Sequence, residues 1–154
     1  MNIPRAFLIT LVMSLIAAPA FAQEPTAAHP GYAGAETCKT CHGAIFDAWQ
    51  GTKHAHALDK LAPAERQGDA CIRCHVTGSP EQIAAEGAKP RLPNVQCEAC
   101  HGAAAAHAAD PSNKTGLAKT PSERACTSCH NEKSPHFHGF VYGAMSGFVH
   151  PVKH

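Results

Sequence analysis

The sequence predicts a mainly α-helical fold with short helices, long loops and little or no β structure. Nowhere in its 154 residues does the alternation of apolar and polar residues that marks a half-buried strand appear. Short apolar stretches instead alternate with Gly and Pro, of which there are 12 each. One Trp, two Tyr and six Phe supply little aromatic area for a core. These features predict a small protein whose interior is completed by something other than side chains.

A five-residue motif, Cys-x-x-Cys-His, occurs four times and uses all eight cysteines. Two thiols one helical turn apart can add to the two vinyl groups of one porphyrin, and the adjacent imidazole then reaches the iron as its proximal ligand. The motif therefore predicts four covalently attached haem c groups per chain. The boxes, with thioether cysteines and proximal histidine, are the first (Cys38, Cys41, His42), the second (Cys71, Cys74, His75), the third (Cys97, Cys100, His101) and the fourth (Cys126, Cys129, His130).

Zinc and disulfides are the alternative uses of these cysteines. Four Cys pairs can form two Cys₄ zinc sites, but zinc does not require a His after every second Cys. Two cysteines three positions apart on a helix seldom form a disulfide. Haem is therefore the predicted cofactor, and the haems are expected to form the core of the protein.

Residues 1–22 have the features of a signal peptide. Arg5 supplies the positive charge, residues 6–18 are apolar, and residues 20–22 form the small-x-small cleavage pattern Ala-Phe-Ala. The apolar stretch is too short to span a bilayer comfortably, so no transmembrane segment is expected after cleavage. The sequence thus predicts an exported, periplasmic protein with a flexible leader at 23–34 and a single tetrahaem cytochrome domain at 35–154.

Helices are expected over 37–50, 95–109 and 137–149, with a loop at 87–94. On the first helix, Ile45, Phe46 and Trp49 are predicted to face a haem. Two further helix starts are indicated at Ser79-Pro80 and Thr120-Pro121, each with a hydroxyl cap, a Pro at the first helical position and an acid or amide three residues past the cap. The boxes are separated by 28, 21 and 24 residues without another shared pattern, which favours one domain over a tandem repeat.

The charges of the chain are balanced, with 13 Lys and Arg against 12 Asp and Glu. Haem propionates would add up to about eight negative charges, so the holoprotein is expected to be mildly acidic. Nucleic acid is therefore not an expected partner. The expected partners are redox proteins, including other haem proteins, that donate and accept electrons.

Distal iron ligands are expected among the histidines outside the boxes. Met145 is the one methionine after the leader, so at most one haem can have His/Met ligation and bis-His ligation is the default. His136 and His138 are either alternative ligands or loop residues, and His29 and His154 are either ligands to a neighbouring molecule or plain terminal residues. The eight histidines outside the boxes are His29, His54, His56, His107, His136, His138, His150 and His154.

Several segments together carry a family resemblance. They are Tyr32-Ala33-Gly34-Ala35-Glu36-Thr37 before the first box, Trp49 with Thr52-Lys53-His54-Ala55, Val95-Gln96 and Gly102 around the third box with His107, and, after the fourth box, Ser134-Pro135, Phe137, Phe140, Tyr142 and His150. Over about residues 31–150, this combination resembles the tetrahaem cytochrome c-554 family. The resemblance implies stacked haem pairs and electron transfer.

The resemblance also implies a set of distal ligands. His54 would bind the third haem, His107 the first and His150 the fourth, while the second haem would lack a distal protein ligand. His56 departs from the family pattern. Because positions two apart on a helix point about 200° apart, His54 and His56 cannot serve one iron. His56 is therefore either the distal ligand of the second haem or a surface residue.

The expected function is periplasmic electron transfer rather than catalysis. No Gly-rich nucleotide loop or catalytic triad accompanies the boxes, so no catalytic residue is predicted. One alternative is a haem enzyme that acts on a small nitrogen oxide or hydroxylamine at a five-coordinate second haem. Another is a subunit of a cytochrome filament, in which His29, His150 or His154 binds a haem of the next molecule.

Overall fold

The computed structural model describes residues 31–150, and within this range all regular structure is helical. Val76 and Pro93 form an isolated antiparallel bridge, but the described residues contain no strand. The mainly α prediction is confirmed. The helices are α1 (Ala35–Gln50), α2 (Asp69–Ile72), α3 (Pro80–Glu86), α4 (Cys97–His101), α5 (Ala105–Ala109), α6 (Glu123–Thr127) and α7 (Tyr142–Met145), with 3₁₀ turns at His54–His56, Leu58–Lys60, Glu65–Gln67 and Ser146–Phe148.

Three predictions concern segments outside the described residues. These are the signal peptide, the leader up to residue 30 and the two terminal histidines, His29 and His154. Within residues 31–150, no helix is both long enough and apolar enough to cross a membrane.

Helix α1 carries the first box and confirms the helix expected over 37–50. It begins two residues earlier than predicted, directly after Gly34, whose φ of 82° belongs to a turn. The backbone leaves helical geometry at His42 (φ −116°, ψ 39°), so the helix is kinked at the proximal histidine. Phe46 and Trp49 are buried on the second half of the helix.

One of the two predicted helix starts is confirmed, and the other is displaced by two residues. Ser79 and Gln82 form a full capping box at the start of α3, as expected: the Gln82 amide N–H donates to the Ser79 hydroxyl (3.3 Å) and the Ser79 amide N–H to the Gln82 side chain (2.8 Å). Helix α6 begins at Glu123 after an extended Ser122, so the start predicted at Pro121 was two residues early. The Pro121 carbonyl instead accepts a hydrogen bond from the Tyr142 hydroxyl (2.5 Å).

Two predicted helices were too long, and a glycine explains each. The helix expected over 95–109 is two helices, α4 and α5, because the chain turns at Gly102 with φ 93°. A Cβ at this position would lie 2.5 Å from the Gly116 carbonyl oxygen, so only glycine fits. The helix expected over 137–149 is reduced to α7 and a 3₁₀ turn, because Gly139 has φ 92°.

The apolar core consists of two small clusters, each packed against a haem box. Cys71 packs against one cluster and Cys97 against the other. Small clusters beside the boxes are expected in a protein whose core is completed by bound cofactors. The clusters are Leu58, Leu61, Ile72, Val76 and Ile83, and Ala35, Phe46, Trp49 and Ala55.

Val95 and Gln96, just before the third box, form hydrogen bonds that connect the two clusters. The Val95 amide N–H donates to the His54 carbonyl (3.0 Å), and the Trp49 indole N–H donates to the Val95 carbonyl (2.9 Å). The Gln96 amide N–H donates to the buried Thr77 hydroxyl (2.8 Å) next to the second box. These bonds hold the first, second and third boxes in one body.

Candidate haem-binding sites

Three pairs of imidazole rings face each other across gaps that suit a metal ion. The ring centres are 6.4 Å apart for His42 and His107, 5.9 Å for His54 and His130, and 6.0 Å for His101 and His150. Metal–imidazole bonds are about 2 Å long and the nitrogen lies roughly 1 Å from the ring centre, so two imidazoles on one metal have centres roughly 6 Å apart. Each pair contains one box histidine and therefore fits a bis-His haem iron.

The partners of two boxes are exchanged relative to the family-based expectation. His107 faces the first box, as the resemblance implied. His54 faces His130 of the fourth box rather than the third, and His150 faces His101 of the third rather than the fourth. After the 3₁₀ turn at Ser146–Phe148, Val149 and His150 form part of the wall of the cavity at the third box.

Backbone carbonyls orient three of the histidines. The Nδ1 atoms of His75, His101 and His107 lie 2.6, 2.6 and 3.0 Å from the carbonyl oxygens of Ala57, Ala118 and Asn113. A carbonyl can only accept, so each contact selects the ring form with hydrogen on Nδ1 and leaves the Nε2 lone pair available for a metal. His75 therefore makes the same Nδ1 contact as His101 and His107.

A cavity of about 390 Å³ lies between the first and third boxes. Cysteines and histidines of both boxes line it, and Ile45 and Trp49 of α1 form part of its wall, as predicted. Phe46 differs from the prediction, since its buried side chain packs in the apolar cluster with Ala35. A cavity with apolar walls beside two attachment motifs is the environment that a bound porphyrin requires.

The thiols show which boxes are neighbours. The Cys97 thiol interacts with Cys38, which raises the pKa of Cys38 and lowers that of Cys97. Likewise, the interaction between Cys74 and Cys129 raises the pKa of Cys74 and lowers that of Cys129 to about 6. The first box therefore adjoins the third, and the second adjoins the fourth.

A third contact joins these two pairs of boxes. Burial raises the pKa of Cys100 to about 11, and the negative charges of the nearby Cys126 and Cys129 thiolates contribute to the shift. Helices α4 and α6, which carry the third and fourth boxes, also pack together. The four boxes therefore form a continuous series in the order first, third, fourth, second.

The second box differs from the others in its histidine environment. Within residues 31–150, no second imidazole faces His75 at the spacing of the other pairs. His56 is exposed, with Nε2 3.1 Å from the Gln50 carbonyl oxygen and Nδ1 3.7 Å from the Asp59 carboxylate. The carbonyl of its neighbour Ala57 contacts Nδ1 of His75, on the side of the ring away from Nε2. A distal ligand would have to lie beyond Nε2, so His56 is on the opposite side from that position. The structure favours the surface alternative for His56.

His136 and His138, whose roles the sequence left undecided, differ in their surroundings. His136 borders a second cavity of about 270 Å³, together with Cys71, Cys74 and His75 of the second box. His138 is exposed and does not border this cavity. His54 is largely buried, and burial followed by the nearby His130 lowers its pKa, which favours the neutral imidazole that a metal requires.

Comparisons with known proteins find similar sequences. Residues 37–102 match the family described as cytochrome c554 and c-prime. Cytochrome c-554 from Nitrosomonas europaea is 30% identical over 115 residues, which cover 61% of this chain and 49% of the relative. The chain is similar to the cytochrome c554 family over these residues. It spans about half the length of this curated relative. A solved structure of the reduced state of cytochrome c554 from Nitrosomonas europaea shares 26% identity over 76% of this chain and 77% of that one, with a TM-score of 0.45.

Covalently bound haem is the group that this similarity implies. The residues fit that group, because the paired imidazoles have the spacing of axial ligands and the cavities lie beside the attachment cysteines. The residues that would hold it are those of the boxes, the three histidines that face box histidines and the carbonyls that contact the rings.

Glu98, inside the third box, was not predicted from the sequence. It is only 3% exposed, and its carboxylate accepts hydrogen bonds from the amides of Ala33 (2.9 Å), Gly34 (2.8 Å) and Ala104 (2.7 Å). Glu98 thus joins the start of α1 to the third box and to the residue before α5. The available signal was an acidic residue directly after an attachment cysteine, at the first turn of a short helix.

Replacing Glu98 with Ala is expected to destabilise the holoprotein by about 3–5 kcal/mol, because three largely buried amides lose their acceptor. The measurement is the free energy of unfolding from denaturant titration. Glu98→Gln keeps one acceptor oxygen and should be intermediate. The exposed Glu132→Ala is the matched control and should change stability by less than about 0.5 kcal/mol. Equal stability of the Glu98→Ala and Glu132→Ala variants would contradict the assigned role.

Proposed function

We propose that the chain is a periplasmic electron-transfer protein that carries four covalently attached haem c groups. The observation that supports this most directly is the continuous series of the four boxes, three of which have a second imidazole at iron-ligating distance. When bound, haem supplies one-electron redox chemistry with a potential set by its axial ligands and surroundings. His/His ligation at three irons favours low potentials.

The chain's own residues provide positioning in this function. The boxes lie on or beside helices, and the carbonyls of Ala57, Ala118 and Asn113 contact Nδ1 of three histidine rings and so restrict their rotation. Rigid ligands reduce the reorganisation that accompanies each change of iron charge. The adjoining boxes give electrons a route through the body of the protein from the first box to the second.

Export is part of the proposal. The signal peptide predicted at 1–22 would deliver the chain to the compartment in which redox proteins of the periplasm or membrane donate and accept its electrons. The filament alternative has less support, because His150 faces His101 in the same chain. The other two histidines that it invokes lie outside the described residues.

Reductive titration of the oxidised holoprotein is expected to consume four electrons per chain. The reason is one iron for each of four boxes, and the measurement is a potentiometric titration followed in the haem absorption bands. A Cys71→Ala/Cys74→Ala variant, which lacks the second attachment site, should consume three. A titration that ends at two electrons, or zinc in place of iron, would refute the proposed function.

A second candidate function follows from the environment of His75. Since no imidazole within residues 31–150 pairs with this ring, an iron bound by His75 would keep an open position for a small molecule. The absorption spectrum of the ferric protein distinguishes the two states, because an open position gives a high-spin band that bis-His irons lack.

A further inference from the structure

The segment between α5 and α6 contacts ligand histidines of two different haem sites. The Asn113 carbonyl oxygen lies 3.0 Å from Nδ1 of His107, whose ring faces His42 of the first box. The Ala118 carbonyl oxygen lies 2.6 Å from Nδ1 of His101 in the third box, and the Ala118 amide N–H donates to the His101 carbonyl (2.9 Å). This segment therefore connects the first haem site to the third.

Two lysines of this segment are placed by these contacts. Lys114 directly follows Asn113, and Lys119 directly follows Ala118. The backbone of each lysine is therefore held one residue from a carbonyl that contacts a ligand ring. Both lysines are exposed, and both line the cavity of about 390 Å³ between the first and third boxes. Residues that line a cavity and are also exposed lie at its mouth.

The charges of the cavity lining favour a ligand that carries carboxylates. The lining has two ammonium groups, on Lys114 and Lys119, and one carboxylate, on Glu98. Glu98 is only 3% exposed, and its carboxylate already accepts hydrogen bonds from three backbone amides. Within residues 31–150, neither lysine forms an ion pair with a carboxylate. The two ammonium groups at the cavity mouth are therefore available to pair with anionic groups of a bound cofactor.

We propose that Lys114 and Lys119 bind the propionate groups of the haems held by the first and third boxes. This inference rests on the proposed attachment of haem at these boxes. Propionates are carboxylates, and an ammonium group that pairs with one offsets its negative charge beside the iron. Because reduction lowers the charge of the iron by one unit, offsetting a nearby negative charge favours the reduced form. The two lysines therefore raise the reduction potentials of these haems above the values that bis-His ligation with free propionates would give.

The test is a potentiometric titration of the tetrahaem holoprotein, followed through the electron paramagnetic resonance signals of its low-spin irons. The signals lost in His107→Ala and His150→Ala identify the first and third haems. Lys114→Gln and Lys119→Gln should each shift the redox equilibrium of at least one of these two haems roughly threefold towards the oxidised form, which is about 30 mV at about 59 mV per tenfold.

Two comparisons show whether the charge and the propionates are responsible. Lys114→Arg and Lys119→Arg keep the charge and should retain the wild-type potentials. The control residue is the exposed Lys89, which lines neither cavity, and Lys89→Gln should leave all potentials unchanged. In the resonance Raman spectrum, the propionate bending bands should change in the two Gln variants of the cavity lysines and stay unchanged in Lys89→Gln, because only a direct contact perturbs these vibrations.

The proposal is wrong if Lys114→Gln and Lys119→Gln keep the wild-type potentials and propionate bands, since the lysines are then not paired with haem. A change of potential with unchanged propionate bands would also overturn it, because the lysines would then act only at a distance. The same conclusion follows if the Arg variants shift the potentials as far as the Gln variants. Failure of the proposed function gives a different result, since the mass of the wild-type protein would then show fewer than four haems.

Discussion

Mass spectrometry of the exported protein is expected to give the mass of residues 23–154 plus four haems of about 0.6 kDa each. All eight cysteines belong to haem boxes, so each haem should be held by two thioether bonds that survive denaturation. Acid and organic solvent, which extract non-covalent haem, should remove none. Loss of the haems should abolish the fold, because the two apolar clusters are too small to replace them.

The matched variants remove one attachment site at a time. Cys126→Ala/Cys129→Ala should lower the mass by one haem and leave three, and the equivalent change in the second box should do the same. A protein that carries two zinc ions, or that loses haem in acid, would refute covalent attachment at four sites.

His54→Ala is expected to convert one low-spin ferric haem to high spin and to remove one particular electron paramagnetic resonance signal. The His54 and His130 rings are inclined at 57°, against 28° and 20° for the other two pairs. Steeply crossed imidazole planes make low-spin ferric haem strongly anisotropic with a large maximum g value, whereas near-parallel planes give a rhombic signal. The variant should therefore lose the large-g signal and keep both rhombic ones.

His107→Ala and His150→Ala provide the comparison. Each should remove one rhombic signal and leave the large-g signal in place. His138→Ala should leave the whole spectrum unchanged, since this side chain is exposed and borders no haem cavity. Loss of a rhombic signal in His54→Ala would show that the ring pairs seen here do not correspond to the iron ligands.

Local sequence patterns predicted a helix correctly where its start depends on interactions between residues close in sequence. The capping box at Ser79 and Gln82 uses atoms three residues apart, and it was predicted correctly. The helices expected over 95–109 and 137–149 were wrong because Gly102 and Gly139 adopt positive φ values. At Gly102 the reason is the close approach of the Gly116 carbonyl, a contact that no short sequence window contains.

The residues of the haem-binding sites also divide into those set by local chemistry and those set by contacts between distant segments. The Cys-x-x-Cys-His spacing predicts the attachment cysteines and proximal histidines, because thioether bonding and ligation by the next residue are local chemistry. Which distal histidine faces which box depends on how distant segments return to one another. The ring pairs agree with the family-based set at the first box and differ from it at the other two, where His150 faces His101 and His54 faces His130.

The sequence by itself determined that the chain is helical, that it carries Cys-x-x-Cys-His motifs for covalent haem, and that eight further histidines are available as ligands. Only the tertiary structure decided that His54 crosses to the fourth box, that Glu98 is buried as an acceptor for three amides, and that the second box faces a loop with His136 rather than a paired imidazole. The physical reason is the range of the interactions. Attachment and capping join residues within one helical turn, whereas a distal ligand or a cavity wall is formed by segments tens of residues apart, whose approach depends on the packing of the whole chain.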